Sequence, residues 1–179
     1  MTIRRRTALL LVAACVALAG CAGESVTQYA GQRPVLDLRQ YFNGQVRAHG
    51  MFQDRSGHVV KRFTVTMDCA WTGDDGVLDE HFTYADGTLQ RRVWHLKRHP
   101  DGRYTGSAAD VVGQASGRIS GNAFNWTYTL KLPVGGSVYD VDLDDWMYLM
   151  DDGVMLNRAT MSKLGIRLGE ITLAFTRIP

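Results

Sequence analysis

Apolar and polar residues alternate along most of this chain. Between residues 63 and 71 every second position is apolar (Phe63, Val65, Met67, Cys69, Trp71), with Thr64, Thr66, Asp68 and Ala70 between them. Phe124, Trp126, Tyr128, Leu130 and Leu132 repeat the pattern against Asn125, Thr127, Thr129 and Lys131. Period-two alternation over such lengths marks half-buried antiparallel strands, each with one face on a core. Turn-forming clusters fall at 54–57, 73–76, 86–87, 100–102, 120–122, 135–136 and 151–153. Asp-Gly and Gly-Asn pairs tolerate the positive φ that tight hairpins need. The pattern predicts strands near 43–53, 58–71, 77–85, 89–98, 103–112, 114–120, 123–133, 138–149, 153–159 and 166–177. Between Arg158 and Gly165 no residue breaks a helix, and a single helical turn is expected there.

Hairpins in strict succession make an all-β, antiparallel up-and-down meander. An open meander has two unpaired edges, and closure removes them. The expectation is one barrel or half-barrel of about eight to ten strands. Gly106, Ala108, Gly113, Ala115, Gly117 and Gly121 suit the bends of a curled sheet, or leave room for a ligand.

The N-terminus breaks the pattern. Arg4, Arg5 and Arg6 precede an uncharged apolar run from Ala8 to Leu18, then Leu18-Ala19-Gly20-Cys21. Charge, apolar run and small-residue site make a secretory signal, and the last four residues resemble the lipobox of bacterial lipoproteins. The run is shorter than the roughly 20 residues a membrane span needs. The resemblance implies a signal peptide over 1–20, acylation of Cys21, and a lipidated N-terminus and polar tether over 21–34. A single barrel domain would then occupy 35–179. Ala22, not Asp, follows the cysteine, and resemblance to the sorting rule of Gram-negative lipoproteins then implies residence at the periplasmic face of the outer membrane.

Charge then loses its basic bias. The chain carries 20 Lys and Arg against 18 Asp and Glu, and removing the three leader arginines turns a net charge of +2 into about −1. No basic tract survives to hold nucleic acid. With Cys15 removed and Cys21 acylated, Cys69 has no disulfide partner, and its apolar neighbours make it a buried structural thiol.

Candidate chemistry is sparse. The sequence has no Gly-rich phosphate loop, CxxC, HExxH or GxSxG, and no cofactor or metal is expected. Its five histidines are scattered singly. Charges on an inward face are more informative. Glu80 shares a face with Leu78, Phe82 and Tyr84, and Arg92 with Trp94 and Leu96, on strands joined at Asp86-Gly87. A buried carboxylate must be paired or protonated, so a Glu80–Arg92 pair is expected, either as a structural ion pair or as an anchor for a ligand's polar end. Asp110 shares a face with Tyr104. Asp144 and Asp145 point to opposite faces and make a poor catalytic dyad, and Asn157-Arg158 offers a partner for Asp145. Asp140, Asp142 and Asp144 share one face, expected to be solvated or weakly cation-binding rather than catalytic.

These residues, taken in order, resemble the DUF3833 family. The resemblance rests on Asp79-Glu80-x-Phe82-x-Tyr84-x-Asp86-Gly87, Arg92-x-Trp94, Tyr104-x-Gly106-x-Ala108-x-Asp110, Gly121-Asn122-Ala123, Asp144-Asp145-Trp146-Met147-Tyr148, Asn157-Arg158 and Lys163-x-Gly165-Ile166, and spans about residues 36–178. It implies a bacterial lipoprotein with a calycin-like barrel and a genomic link to lipid-modifying enzymes. It carries over no catalytic residues. The Gly-x-Trp of lipocalins is missing from the first strand, where Asn43-Gly44-Gln45-Val46 stands.

The resulting expectation is a non-enzymatic envelope protein that binds an acyl chain or other apolar small molecule and is tied to membrane lipid metabolism. The residues expected to contact ligand are Glu80, Arg92, Trp94, Tyr104 and Asp110 in the first half, with Trp126, Asp145, Trp146, Tyr148, Asn157 and Arg158 in the second. Two alternatives stand beside it: an enzyme acting on a lipid through Glu80, Asp110 or Asp145, and an interaction lipoprotein whose barrel is filled.

Overall fold

A computed structural model of the chain describes residues 24–179. The leader, the lipobox and Cys21 lie outside the described residues. Ten strands follow one another: β1 (Gly44–Asp54), β2 (Val59–Thr72), β3 (Asp75–Tyr84), β4 (Leu89–Arg98), β5 (Arg103–Ser107), β6 (Val111–Ser120), β7 (Ala123–Val134), β8 (Ser137–Leu149), β9 (Val154–Lys163) and β10 (Ile166–Arg177). Each pairs antiparallel with its neighbours in sequence, and β1 pairs with β10 to close the barrel, with Val46 opposite Arg177 and Asp54 opposite Gly169. Every strand therefore has both sheet neighbours within 44–177, and the barrel closes on itself.

The alternating residues point as the pattern demands. Val65, Met67 and Cys69 on β2, Phe124 and Trp126 on β7, and Met155, Ala159 and Met161 on β9 are buried inside. Burial lifts the Cys69 thiol to about 12, with nearby Glu80 and Asp68 adding to the shift, so it is an inert core group.

Because the strands run up and down, the β2/β3, β4/β5, β6/β7 and β8/β9 turns meet at one end and the other hairpins at the opposite end. A plug seals the first. Leu36 precedes a one-turn helix, α1 (Leu38–Tyr41), whose cap is Asp37 accepting a hydrogen bond from the Arg39 backbone N–H at 2.9 Å. Leu36, Leu38, Tyr41 and Phe42 are all buried; the Phe42 ring meets Phe175 edge-on at 5.7 Å. Fully burying such a side chain contributes about 1.5–3 kcal/mol. The plug is fastened to two turns, by Leu36 N–H donating to Gly121 O at 2.9 Å and Tyr41 O–H donating to Gly153 O at 3.1 Å.

Three differences from the sequence pattern have local causes. The helical turn at 158–165 is absent: β9 runs on to Lys163, because Ala159 and Met161 continue the inward alternation of Met155 and Asn157. The strand expected over 103–112 stops at Ser107, and β6 begins already at Val111 and carries a bulge between Val112 and Ser116, where Gly113 takes φ +67°. Part of the expected tether lies against the barrel. A 3-10 turn at Val26–Tyr29 sets the Tyr29 ring on Trp146 and Tyr148, at 6.0 and 5.4 Å, and its backbone crosses Gly121 so closely that a Cβ there would sit 1.8 Å from Tyr29 O.

Candidate functional site

The end away from the plug is open. Inside it is a cavity of about 670 Å³, and beneath it, towards the plug, only a void of about 30 Å³ remains. The barrel is thus filled in one half and hollow in the other. The floor of the hollow half is aromatic. Trp94 and Trp126 pack at 4.7 Å, and the Tyr128 ring stands against them at 5.3 and 5.4 Å. Gly106 makes this possible: a Cβ there would meet Trp126 at 2.9 Å and Leu96 at 2.8 Å.

The walls differ in character. One side is aliphatic and aromatic, from Phe52, Phe63, Val65, Ile171 and Leu173. The other carries Glu80 on β3, Arg92 on β4, Asp110 in the link between β5 and β6, Tyr128 on β7, Asp145 on β8 and Asn157 on β9. Among the described residues, no serine, threonine, cysteine or histidine lines the cavity, and no group of three or more His, Cys, Asp or Glu is arranged to hold a metal ion.

Arg92 organises the polar wall. It faces Glu80 across the ladder, but its principal partner is Asp110. Nε donates to both carboxylate oxygens, at 3.1 and 3.0 Å, and Nη2 donates to Oδ2 at 2.7 Å. The Glu80 carboxylate is 3.9 Å from Nη1. The guanidinium also lies 5.6 Å from the Phe82 ring centre. The expected Glu80–Arg92 pair is therefore a triad in which Asp110 has the bidentate seat, the stronger geometry for a guanidinium and a carboxylate. Asp110 reaches Arg92 because the chain leaves the sheet after Ser107, and Asp110 O accepts from Lys131 N–H at 2.7 Å.

The remaining two carboxyls are buried and raised. The Glu80 carboxylate makes no hydrogen bond among the described residues. Burial lifts it to about 7; Arg92 opposes the shift, while Asp110 and Asp145 add to it. Burial likewise lifts Asp145 to about 6, against donation from Trp126 Nε1 at 3.1 Å, Tyr128 O–H at 3.5 Å and a short contact from Asn157 Nδ2. Asn157 Nδ2 also donates to Trp146 O at 3.1 Å, while its Oδ1 is buried without a partner. Burial raises the Tyr128 phenol well above its usual value too.

Of the residues expected to contact ligand, Glu80, Arg92, Trp94, Asp110, Trp126, Asp145 and Asn157 line the cavity. Tyr104 lies below the floor, edge-on to Phe124 at 5.7 Å and buried in the filled half. Trp146, Tyr148 and Arg158 face the outer wall. Trp146 and Tyr148 stack at 6.0 Å beneath Tyr29. Tyr148 O–H donates to Glu24 at 3.2 Å, and Arg158 is 3.7 Å from the same carboxylate. Alternation explains the split: Asp145 and Asn157 point inward, so Trp146 and Arg158 point out. Tyr128 belongs to the cavity and was missed, although it stands in the same alternating series as Trp126. Asp142 and Asp144 face solvent, accepting from Thr129 and Asn125 at 2.9 and 2.7 Å.

Comparison with known proteins agrees with this architecture. The model of DUF3833, a family of proteins of unknown function, matches residues 15–177. No curated protein matches the chain. The S-type phycobiliprotein lyase of Guillardia theta superposes with a TM-score of 0.63 at 6% identity, over 87% of this chain and 99% of its own. A Nostoc punctiforme protein of unknown function from the DUF3598 family gives 0.51 at 12% identity, over 88% of this chain, which spans 53% of that longer one. At these identities the likeness concerns the fold.

Proposed function

Since the chain belongs to the DUF3833 family, which supplies no activity to inherit, we propose from the cavity itself that the protein is a non-enzymatic carrier of one apolar small molecule. The observation behind this is the hollow half of the barrel. Its volume of about 670 Å³ lies in the roughly 300–1,000 Å³ range of small-molecule sites, and it has their usual design, an apolar lining with a few convergent polar groups. An acyl chain against Phe52, Phe63, Ile171 and Leu173 would gain about 0.8 kcal/mol per buried CH2. The lipobox-like Leu18-Ala19-Gly20-Cys21 and Ala22 support placing this carrier on an outer membrane by a Cys21 lipid anchor; the link to membrane lipid metabolism rests on the family resemblance alone.

Mass spectrometry of an organic extract of the purified barrel is the direct test. A stoichiometric apolar compound is expected, and an apolar fluorescent probe should bind once it is stripped. An extract free of such compounds, together with a probe that does not bind, would refute the carrier.

A second reading is favoured by one observation: Glu80 and Asp145 are raised to about 7 and about 6, the range in which general acids and bases work. Turnover of a bound lipid, lost in both Glu80→Gln and Asp145→Asn, would establish an enzyme in place of a carrier. The lining offers no Ser, Thr, Cys or His as a nucleophile or partner base.

A further inference from the structure

We propose that the deep wall of the cavity selects an amphipath whose polar end donates hydrogen bonds, an ammonium above all, and that it discriminates against a free carboxylate. This rests on the carrier reading and names the ligand class for the same cavity.

The argument begins with unsatisfied acceptors. Glu80 lines the cavity with its side chain 12% exposed and has no hydrogen bond among the described residues. Asn157, 3% exposed, leaves its Oδ1 buried and unpartnered on the same wall. Buried polar atoms without partners are uncommon in folded proteins, and each calls for an explanation. The Glu80 carboxylate, open to the cavity and without a hydrogen bond among the described residues, is explained if the occupant brings the donor.

Most donors on that wall are already turned towards carboxylates. Arg92 makes three hydrogen bonds to Asp110, and its remaining Nη1 faces Glu80. Trp126 Nε1, Tyr128 O–H and Asn157 Nδ2 all point at Asp145. A fatty-acid carboxylate arriving head first would reach the one guanidinium nitrogen not hydrogen-bonded among the described residues, Arg92 Nη1, only beside the Glu80 carboxylate 3.9 Å from it. It would add a further anion beside Glu80, Asp110 and Asp145, which already surround one guanidinium. An ammonium meets the opposite situation. It carries three donors and no acceptor, it balances Glu80 without disturbing the Arg92–Asp110 seat, and its chain lies along the apolar wall of Phe63, Ile171 and Leu173. A hydroxyl head satisfies one acceptor without the charge and should rank between the two.

The cavity does have cations at its entrance, Lys61 and Lys131. A carboxylate could be held there with its tail pointing down, which would leave Glu80 unpartnered against hydrocarbon. The two orientations give different results in one experiment. A fluorescent apolar probe bound to the barrel (residues 24–179) is displaced by dodecylamine, dodecanol and dodecanoate at neutral pH, below their micelle-forming concentrations. Dodecylamine should displace at least tenfold more tightly than dodecanoate, with dodecanol between them. Glu80→Gln should reduce the amine's affinity about tenfold, to near that of dodecanol, and leave dodecanol unchanged. Dodecanoate binding as tightly as the amine overturns the proposal, as does a preference for dodecanoate that survives Glu80→Gln and is lost in Lys61→Ala. If Glu80→Gln does not fold, the ranking of the three heads on the unsubstituted barrel decides alone. Failure of the probe and all three compounds to bind would refute the carrier reading instead.

Discussion

The same ten strands make a packed end and a hollow end, and the difference lies in what covers them. At the closed end a short segment, Leu36 to Phe42, inserts four apolar side chains between the strand ends and is tied to the turns at Gly121 and Gly153. At the mouth no element among the described residues crosses the opening, and the hairpins carry exposed apolar residues, with Leu89 at 75% and Leu164 at 90% exposure. Barrel closure alone satisfies the backbone of every strand, so it stabilises both ends alike. Side-chain filling is a separate matter, which the chain completes at one end only. A barrel of this kind can hold a cavity because its stability is concentrated at the other end.

The sharpest way to break that comparison is to damage the plug and the cavity wall in parallel. Phe42→Ala should cost about 3–5 kcal/mol in urea unfolding, the usual loss for a large aromatic removed from a packed core. Phe63→Ala, on the open wall, leaves no new sealed void and should cost about 1–2 kcal/mol through lost burial alone. Equal losses would mean that the two ends are not energetically distinct.

The triad on the polar wall gives the next largest effect. Arg92 is shared by Asp110 and Glu80, so its removal leaves two facing carboxylates without a counter-charge. Arg92→Met should destabilise by about 2–4 kcal/mol, near the range for breaking a buried ion pair and reduced by its access to the cavity. Glu80→Gln is different, because it leaves the Arg92–Asp110 pair balanced. Small, equal losses in the two variants would show that the triad is a solvated surface contact.

How much of this was legible in the sequence depends on range. The strands were, because alternation is local: Phe63 to Trp71 and Phe124 to Leu132 each declare an inward face. That Glu80 and Arg92 come near one another was legible too, since the hairpin at Asp86-Gly87 joins their strands; their facing register is set by a three-residue loop, Ala85 to Gly87, across which Tyr84 N–H donates to Thr88 O at 2.9 Å. The bond from Arg92 to Asp110 was not, because Asp110 lies in an irregular link whose path depends on the bulge at Gly113 and on Lys131 of a later strand. The plug was hidden for another reason: a one-turn helix is too short to display a 3.6-residue period. Trp146 and Tyr148 belong to the same alternation that buries Asp145, but their aromatic character suggested a ligand rather than the outer wall, where Tyr29 covers them. Whether a barrel is hollow is a sum over all inward residues, and no local pattern reports it.

The pH dependence of stability sharpens the contrast further. Glu80 is raised from 4.5 to about 7, with Arg92, Asp110, Asp145 and Tyr128 facing it, and Asp145 is raised from 3.8 to about 6. A carboxyl raised in the folded state holds its proton where the unfolded chain has released it. Its contribution to stability therefore falls as pH rises from the unfolded value through the folded one, here between about pH 4 and 7. Replacing Glu80 by Gln removes its share, so the variant should be more stable than the parent at pH 8, by about 1–2 kcal/mol after allowing for water in the cavity, and indistinguishable from it at pH 4. Urea titrations at the two pH values check this. A variant less stable at pH 8 would mean that Glu80 is ionised and well paired in the empty barrel.

The smallest effect is expected at the rim. Leu164 takes φ +51° ahead of Gly165 at φ +76° in the β9/β10 hairpin, a turn that favours Asn-Gly because both central residues are left-handed. Leucine is poorly suited to that conformation, which costs an ordinary L-residue roughly 1–2 kcal/mol, and its side chain is 90% exposed, so it recovers almost nothing by burial. Leu164→Asn should therefore raise stability by roughly 0.5–1 kcal/mol, since Asn tolerates the left-handed region. A higher urea midpoint with unchanged slope is the expected result. A loss would mean that the leucine packs against the rim in solution, and the mouth would then be less open than the hollow half of the barrel requires.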